Sequence, residues 1–120
     1  MYKKQGFREF FLIIKTEPNK YLLENKINYL AQFLIGLPKE FFLEEDQIIF
    51  EIFKDKIWEY SKEYIYKYGD IQKMKDTVIW SEQILSVSQN EDEAMNTFFK
   101  ILDNFIEDYY KGLFTTNSKL

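Results

Sequence analysis

Only four glycines and two prolines punctuate these 120 residues, and the apolar residues between them recur at helical spacing. Few breakers and long periodic runs disfavour a sandwich or barrel, which needs a tight turn every few residues. Phe7, Phe10, Phe11 and Ile14 fall at i, i+3, i+4 and i+7, one face of a helix. The continuous apolar run from Phe10 to Ile14 also leaves a strand open there. Thr16-Glu17-Pro18-Asn19 then interrupts the chain. Leu23, Ile27, Leu30, Leu34 and Leu37 follow a 4-3-4-3 spacing, the seam of a buried helix. Gly36 and Pro38 close it.

Pro38 opens a short turn through Phe41 and Phe42. The triplet Glu44-Glu45-Asp46 suits a helix N-terminus, where the dipole favours negative charge. The third helix is predicted to run from there to Tyr68, with Ile49, Phe53, Ile57, Tyr60 and Tyr64 on its buried side. Gly69 fits its C-cap, and Asp70 fits the N-cap of a fourth helix. Ile71, Met74, Val78 and Leu85 would line one face of that fourth helix. Trp80, Ile84 and Val87 would form a second apolar strip. Ser86 to Asn90 reads as a break, and Asn90-Glu91-Asp92-Glu93 as a capping-box-like start. Ala94, Phe98, Ile101, Leu102, Phe105 and Tyr109 stripe the fifth helix, which Gly112 ends. The expected fold is all-α, a compact antiparallel bundle of four to five helices. One domain would span residues 1–112, with a flexible tail at 113–120.

The chain has no cysteine and no histidine. That removes disulfides, thiolate zinc sites, cysteine nucleophiles and the Ser-His-Asp triad. It also removes the usual general base near neutral pH. No Gly-rich phosphate loop or nucleophile elbow is present. Acid-only chemistry, a magnesium site or a glycosidase-like carboxylate pair, would need acids from two helices around a cleft. The expectation is a protein that is not an enzyme and takes no cofactor or metal. No apolar run reaches the length of a membrane span. The N-terminal run is broken by Arg8 and Glu9 and lacks a small-residue cleavage site, unlike a signal peptide. Ser118-Lys119-Leu120 matches a peroxisomal address. Against a Lys-, Ile- and Asn-heavy composition typical of AT-rich microbial genomes, we read that match as chance. The expected location is cytoplasmic.

Charge is the remaining guide. The net charge is -4, unevenly placed. Residues 1–40 hold seven Lys/Arg against four Asp/Glu, and residues 41–120 hold nine against sixteen. The acidic part disfavours nucleic acid, which needs clustered cations, and favours a basic protein partner. Its densest expression is Glu51–Asp70. There Glu51, Asp55, Glu59 and Glu63 recur every four residues, so a helix stacks them along one face at a cost of about 0.2–0.5 kcal/mol per like-charged pair. Lys54, Lys62 and Lys67 stand three or four positions after Glu51, Glu59 and Glu63 and would partly neutralise the row. Tyr66, Tyr68 and Asp70 follow near the helix end, and tyrosine is enriched at interface hot spots. The candidate partner-binding residues are therefore Glu51, Asp55, Glu59, Glu63, Tyr66, Tyr68 and Asp70, with Trp58 as a further anchor. A second acidic patch is expected at Asp103, Glu107 and Asp108.

In size, helical character, acidity and lack of cysteine, the chain resembles bacterial toxin-immunity proteins of the colicin and contact-dependent growth inhibition type. The Glu51–Asp70 stretch carries most of that resemblance. It implies an antitoxin whose partner is a cognate toxin, a basic nuclease domain. The acidic, tyrosine-containing surface would cover the toxin's active-site or substrate groove, and no nucleic acid, membrane or small-molecule substrate would be bound. Two other readings fit the same residues: a phage-type inhibitor that mimics nucleic acid, and a helical assembly or regulatory module with an apolar contact. The strip Trp80, Ile84 and Val87 separates them. Exposure of that strip with a neutralised acidic row favours assembly; burial of the strip with an open row favours an inhibitor.

Overall fold

In a computed structural model, which describes residues 3–114, the chain folds into five helices. They are α1 (Phe7–Thr16), α2 (Ile27–Gly36), α3 (Glu44–Tyr68), α4 (Trp80–Ser86) and α5 (Glu91–Tyr110). Single 3₁₀ turns at Pro18–Lys20, Lys39–Phe41 and Ile71–Lys73 sit in the connections. No strand forms among the described residues. Gln5 pairs with Phe42 in an isolated bridge, in which Gln5 N–H donates to the Phe41 carbonyl and Leu43 N–H to that of Gln5. The fold is thus the all-α bundle expected from periodicity. Its extents of 40 × 39 × 21 Å make it about two helices thick in one direction, since a helix with side chains is about 10–12 Å across. Each helix can therefore keep an outward face.

The core is built largely of phenylalanine. Phe7, Phe10, Phe42, Phe50, Phe53, Phe98 and Phe105 are all but fully buried. Phe7 meets Phe11 at 5.0 Å, Phe42 at 5.9 Å, Phe53 at 5.7 Å and Phe105 at 6.4 Å between ring centroids. Phe53 in turn meets Phe11, Phe98 and Phe105. Most of these contacts are edge-to-face or tilted, the arrangements that the ring quadrupole prefers. Every stripe residue of α1 named from sequence is buried, so the strand alternative at Phe10 to Ile14 does not arise.

Two helix starts are served from far along the chain. Phe7 N–H donates to the Asp46 carboxylate at 2.7 Å, and Ile27 N–H to that of Glu91 at 3.3 Å. Neither α1 nor α2 has a side-chain cap of its own at the preceding residue, so distant acids satisfy donors that would otherwise be orphaned. Asn90 does cap α5, its side-chain oxygen accepting from Glu93 N–H at 2.8 Å. Glu93 reaches back to the N–H of Gln89, one residue beyond the expected capping-box partner. Gly112, with φ 84°, ends α5 in a Schellman motif: Gly112 N–H donates to the Tyr109 carbonyl and Leu113 N–H to that of Asp108.

Three expectations need correcting. Leu23 does not belong to the α2 seam; it is 78% exposed, and its neighbour Leu22 is buried instead, in the loop before the helix. Asp70 caps a 3₁₀ turn rather than a fourth helix, its carboxylate accepting from Gln72 N–H at 3.0 Å. Helix α4 begins only at Trp80, so Ile71 and Val78 lie in the connection and are exposed. That connection is held by local bonds that replace helical ones: Lys75 N–H donates to Ser86 Oγ, and the Gln83 side chain to the Thr77 carbonyl. Of the expected tail at 113–120, residues from 115 on lie outside the described part. Phe114, beyond the expected domain limit at 112, stacks on Phe105 at 5.5 Å.

The junction of α2 and α4 is polar. Asn28 accepts from Ser81 Oγ at 2.6 Å and donates to Glu82 at 3.0 Å. The Lys75 ammonium, bonded to Glu82 at 2.9 Å, holds that carboxyl below its ordinary range. On the facing helix, Ser61 is fully buried and its hydroxyl has no hydrogen-bond partner among the described residues. These two sites predict stability changes of opposite sign. Asn28→Ala strands the buried Ser81 hydroxyl and is expected to lower the unfolding free energy by about 1–3 kcal/mol. Ser61→Ala removes an unsatisfied hydroxyl and favours the helix, and is expected to raise it by about 1 kcal/mol. Urea unfolding of both variants checks the pair; a destabilised Ser61→Ala contradicts the second.

Candidate functional site

Helix α3 is 25 residues long, about 37 Å at 1.5 Å per residue, and it carries seven acids against four lysines. Phe50, Phe53, Ile57, Ser61 and Ile65 are its buried side. Glu51, Asp55, Glu59, Glu63 and Tyr66 are all exposed. At about 100° per residue, a four-residue step advances about 40° round the axis, so the acidic row winds as it climbs. Glu51 faces open solvent. Glu63, about 120° further round, has turned toward α5.

The lysines do not neutralise the row as expected. None of Glu51–Lys54, Glu59–Lys62 or Glu63–Lys67 forms an ion pair among the described residues. The one contact in the row is Lys56 to Glu59, at a loose 3.8 Å. The other lysines lie over aromatic rings. Lys54 Nζ stands 4.9 Å from the Phe50 centroid. Lys62 stands 4.5 Å from Trp58 and 5.9 Å from Tyr66, and Lys67 stands 5.5 Å from Tyr68. A cation over a ring gains roughly 0.5–1 kcal/mol at an exposed site, comparable with an i, i+4 ion pair of about 0.3–0.5 kcal/mol. The result is a ladder, Trp58-Lys62-Tyr66, running beside carboxylates that keep their acceptor oxygens open to solvent.

The seven candidate residues do not share one face. Tyr66 stands with the acidic row. Tyr68, two residues on and therefore about 160° away round the helix, packs on Tyr64 at 4.8 Å between centroids. Asp70 lies beyond the helix end, occupied by its cap. Gly69 between them is closely packed: a Cβ there would stand a tight 3.1 Å from the Ile65 carbonyl oxygen. Tyr60 and Tyr64 are half-buried against the core, the packing role expected of them.

What the linear sequence does not reveal is that the two acidic patches meet. A concavity of about 250 Å³ between α3 and α5 is lined by Tyr60, Glu63, Tyr64, Tyr68, Glu107 and Asp108 among others. Tyr60 OH donates to Asp108 at 2.6 Å across it. Burial first, then that bond, then the negative field of Asp108, Glu63 and Glu59 push the Tyr60 hydroxyl well above its ordinary pKa. Asp103 separates from its expected patch and lines a different crevice, between α1 and α5, with Arg8 and Lys15. Only the tertiary pairing of α3 with α5 produces this grouping; no spacing in either helix signals it.

Among the described residues, no group of three or more acids is placed to hold a metal ion, and no helix is long and apolar enough to cross a membrane. Comparison with protein-family models, curated proteins and solved structures returns no significant match to this chain. What this face presents is open carboxylates beside aromatic rings.

The Tyr60–Asp108 bond carries a pH dependence. Unfolded tyrosine releases its proton near pH 10, while folded Tyr60 holds it to higher pH. The native state therefore binds more protons in that window, and stability falls as pH rises above about 10. Tyr60→Phe is expected to unfold about 1 kcal/mol more easily at neutral pH and to show a shallower alkaline decline than the parent. Thermal melts across the alkaline range measure both; an equally steep decline in the variant contradicts the assignment.

Proposed function

We propose that this chain is a toxin-immunity protein: it binds a basic, nuclease-type toxin domain and covers the surface that would otherwise hold nucleic acid. The observation that carries the reading is the open acidic row of α3. Its lysines are engaged by Phe50, Trp58, Tyr66 and Tyr68, which leaves Glu51, Asp55 and Glu63 without an ion pair among the described residues. A nuclease binds a polyanion through clustered cations, and a helix bearing carboxylates about 6 Å apart competes for those cations. Complementary charge would also speed encounter with the toxin. Tyr66 and Trp58, rigid and amphipathic, supply contact area at low entropic cost.

The burial pattern of α4 favours an inhibitor over an assembly module. Ile84 is fully buried, and Trp80 and Val87 pack against the core, so the strip Trp80, Ile84 and Val87 is not a free apolar surface. A phage-type inhibitor would use the same acidic face on another target, and no feature of the fold favours it over immunity.

The test is neutralisation. Co-expression with a toxin domain encoded by the adjacent reading frame is expected to protect the cell. Glu51→Lys, Asp55→Lys and Glu59→Lys together are expected to abolish protection and weaken binding at least about a hundredfold, with an unchanged circular dichroism spectrum. Unchanged affinity in that well-folded variant would sink the reading.

A further inference from the structure

Three tyrosines and three carboxylates converge on the cleft between α3 and α5. Tyr60, Tyr64 and Tyr68 stand four residues apart, so their rings form one lane of α3, and all three line the cleft. Glu63 of the same helix lines it too, as do Glu107 and Asp108 of α5, against a single lysine, Lys67. Tyr60 and Tyr64 are half-buried and pack against the core. Tyr68 is 63% exposed, and its ring rests on Tyr64. At about 250 Å³ the cleft falls below the roughly 300–1,000 Å³ of small-molecule pockets; it is the size for one long side chain.

The carboxylates keep acceptor capacity. Glu63 is exposed and has no ion pair among the described residues. Tyr60 OH donates to one oxygen of Asp108, and an ionised carboxylate has about four acceptor sites. Glu107 is held by Lys111 at 3.6 Å, with both side chains exposed, a surface pair of about 0.2–1 kcal/mol that another cation can replace. One wall already carries a cation. Lys67 Nζ stands 5.5 Å from the Tyr68 centroid, over the ring rather than on Glu63 four residues before it. Its side chain is exposed, so it is free to leave.

The far side of the same rings gives the contrast. Tyr64 and Tyr68 also line a concavity of about 360 Å³ toward Val87 and Lys100. There the one carboxylate, Glu93, accepts from Gln89 N–H and is balanced by Lys100 in the lining. Only the α5 side with Glu107 and Asp108 joins the rings to an excess of negative charge.

We infer that this cleft seats an arginine side chain of the protein partner: the guanidinium takes the place of the Lys67 ammonium against the tyrosine rings and donates to Glu63, Glu107 and Asp108. Arginine fits better than lysine. Its planar fork stacks on rings, gives two parallel bonds to a carboxylate, and sheds water more readily than an ammonium. A bare metal ion fits worse, since no three acids are placed to hold one. The inference rests on the reading of the acidic face as a partner surface, and it names the residue that the partner brings.

The test titrates the isotope-labelled full chain with N-acetyl-arginine amide and follows the backbone amide resonances. N-acetyl-lysine amide is one control; N-acetyl-citrulline amide, which keeps the shape and loses the charge, is the other. Saturable shifts concentrated at residues 63–68 and 104–108 are expected, with weaker binding of the lysine probe and none of the citrulline probe. Glu63→Gln and Tyr68→Ala, both at exposed positions, are each expected to weaken binding about threefold or more, and Lys67→Ala, which vacates the Tyr68 ring, to tighten it about twofold. No saturable binding, shifts spread evenly along residues 51–59, or binding that none of the three substitutions alters overturns the site. Equal binding of the lysine probe overturns the choice of arginine. With the toxin domain of the adjacent reading frame, Tyr68→Ala is expected to weaken binding about tenfold or more. If it does not, while the arginine probe still fills the cleft, a protein occupant is overturned in favour of a free guanidinium compound. If the reversal of Glu51, Asp55 and Glu59 abolishes toxin binding and Tyr68→Ala leaves it unchanged, the acidic row stands and the cleft falls. If Tyr68→Ala weakens toxin binding and the reversal does not, the cleft stands and the row falls.

Discussion

The structure depends on one packing unit, the ring cluster around Phe7 and Phe53. Phe7 comes from α1 and touches rings from the turn before α3, from α3 itself and from α5. Phe53, midway along the longest helix, touches rings from α1 and α5. Truncating such a ring to alanine costs about 3–5 kcal/mol, against a whole-domain stability of about 5–15 kcal/mol. Elements with little capping of their own are placed by these contacts. Helix α1 is only 10 residues long, too short to persist alone in water, and its phenylalanines pack on rings from α3 and α5.

Because the rings occupy one side of α3, its other side is free to be polar. The bundle is about two helices thick, so no further layer covers that face. The acids there would repel one another if left unscreened, and i+3 or i+4 lysines are the usual remedy. In this chain Lys54 and Lys62 find aromatic rings at that spacing, with Phe50 four before Lys54 and Trp58, Lys62 and Tyr66 themselves four apart, while Lys67 lies over its neighbour Tyr68. The same periodicity that stacks the carboxylates stacks the ladder beside them. The helix surface is thereby sorted into an acidic lane and an aromatic-cation lane.

Helix class, count and most boundaries were legible because they follow from local periodicity and breakers. The stripe of α1 is buried as its spacing implies, as are those of α3 and α5 apart from the half-buried Tyr60, Tyr64 and Tyr109, and α3 ends at Tyr68 before Gly69. Failures came where a periodic pattern competed with tertiary bonds. Residues 70–79 have helical spacing, but Asp70, Lys75 and Thr77 spend their bonding groups on Gln72, Ser86 and Gln83. Leu22 and Leu23 differ only in which one the loop turns inward. In the candidate site, exposure of the acidic row was legible. The lysines' choice of rings over carboxylates was not, because the two options lie within a few tenths of a kcal/mol. The meeting of Glu63 with Glu107 and Asp108 was not legible either, because it requires knowing which helices touch.

The distant caps of α1 and α2 set an order on assembly. The carboxylate that receives the first N–H of α1 belongs to Asp46, and the one serving α2 belongs to Glu91. The last ring against Phe7 is that of Phe105. A chain emerging from a ribosome holds neither helix in its native surroundings until α5 has been made. The apolar stripes of α1 and α2 stay open to water until α5 has been made, and closure of the bundle waits on that helix.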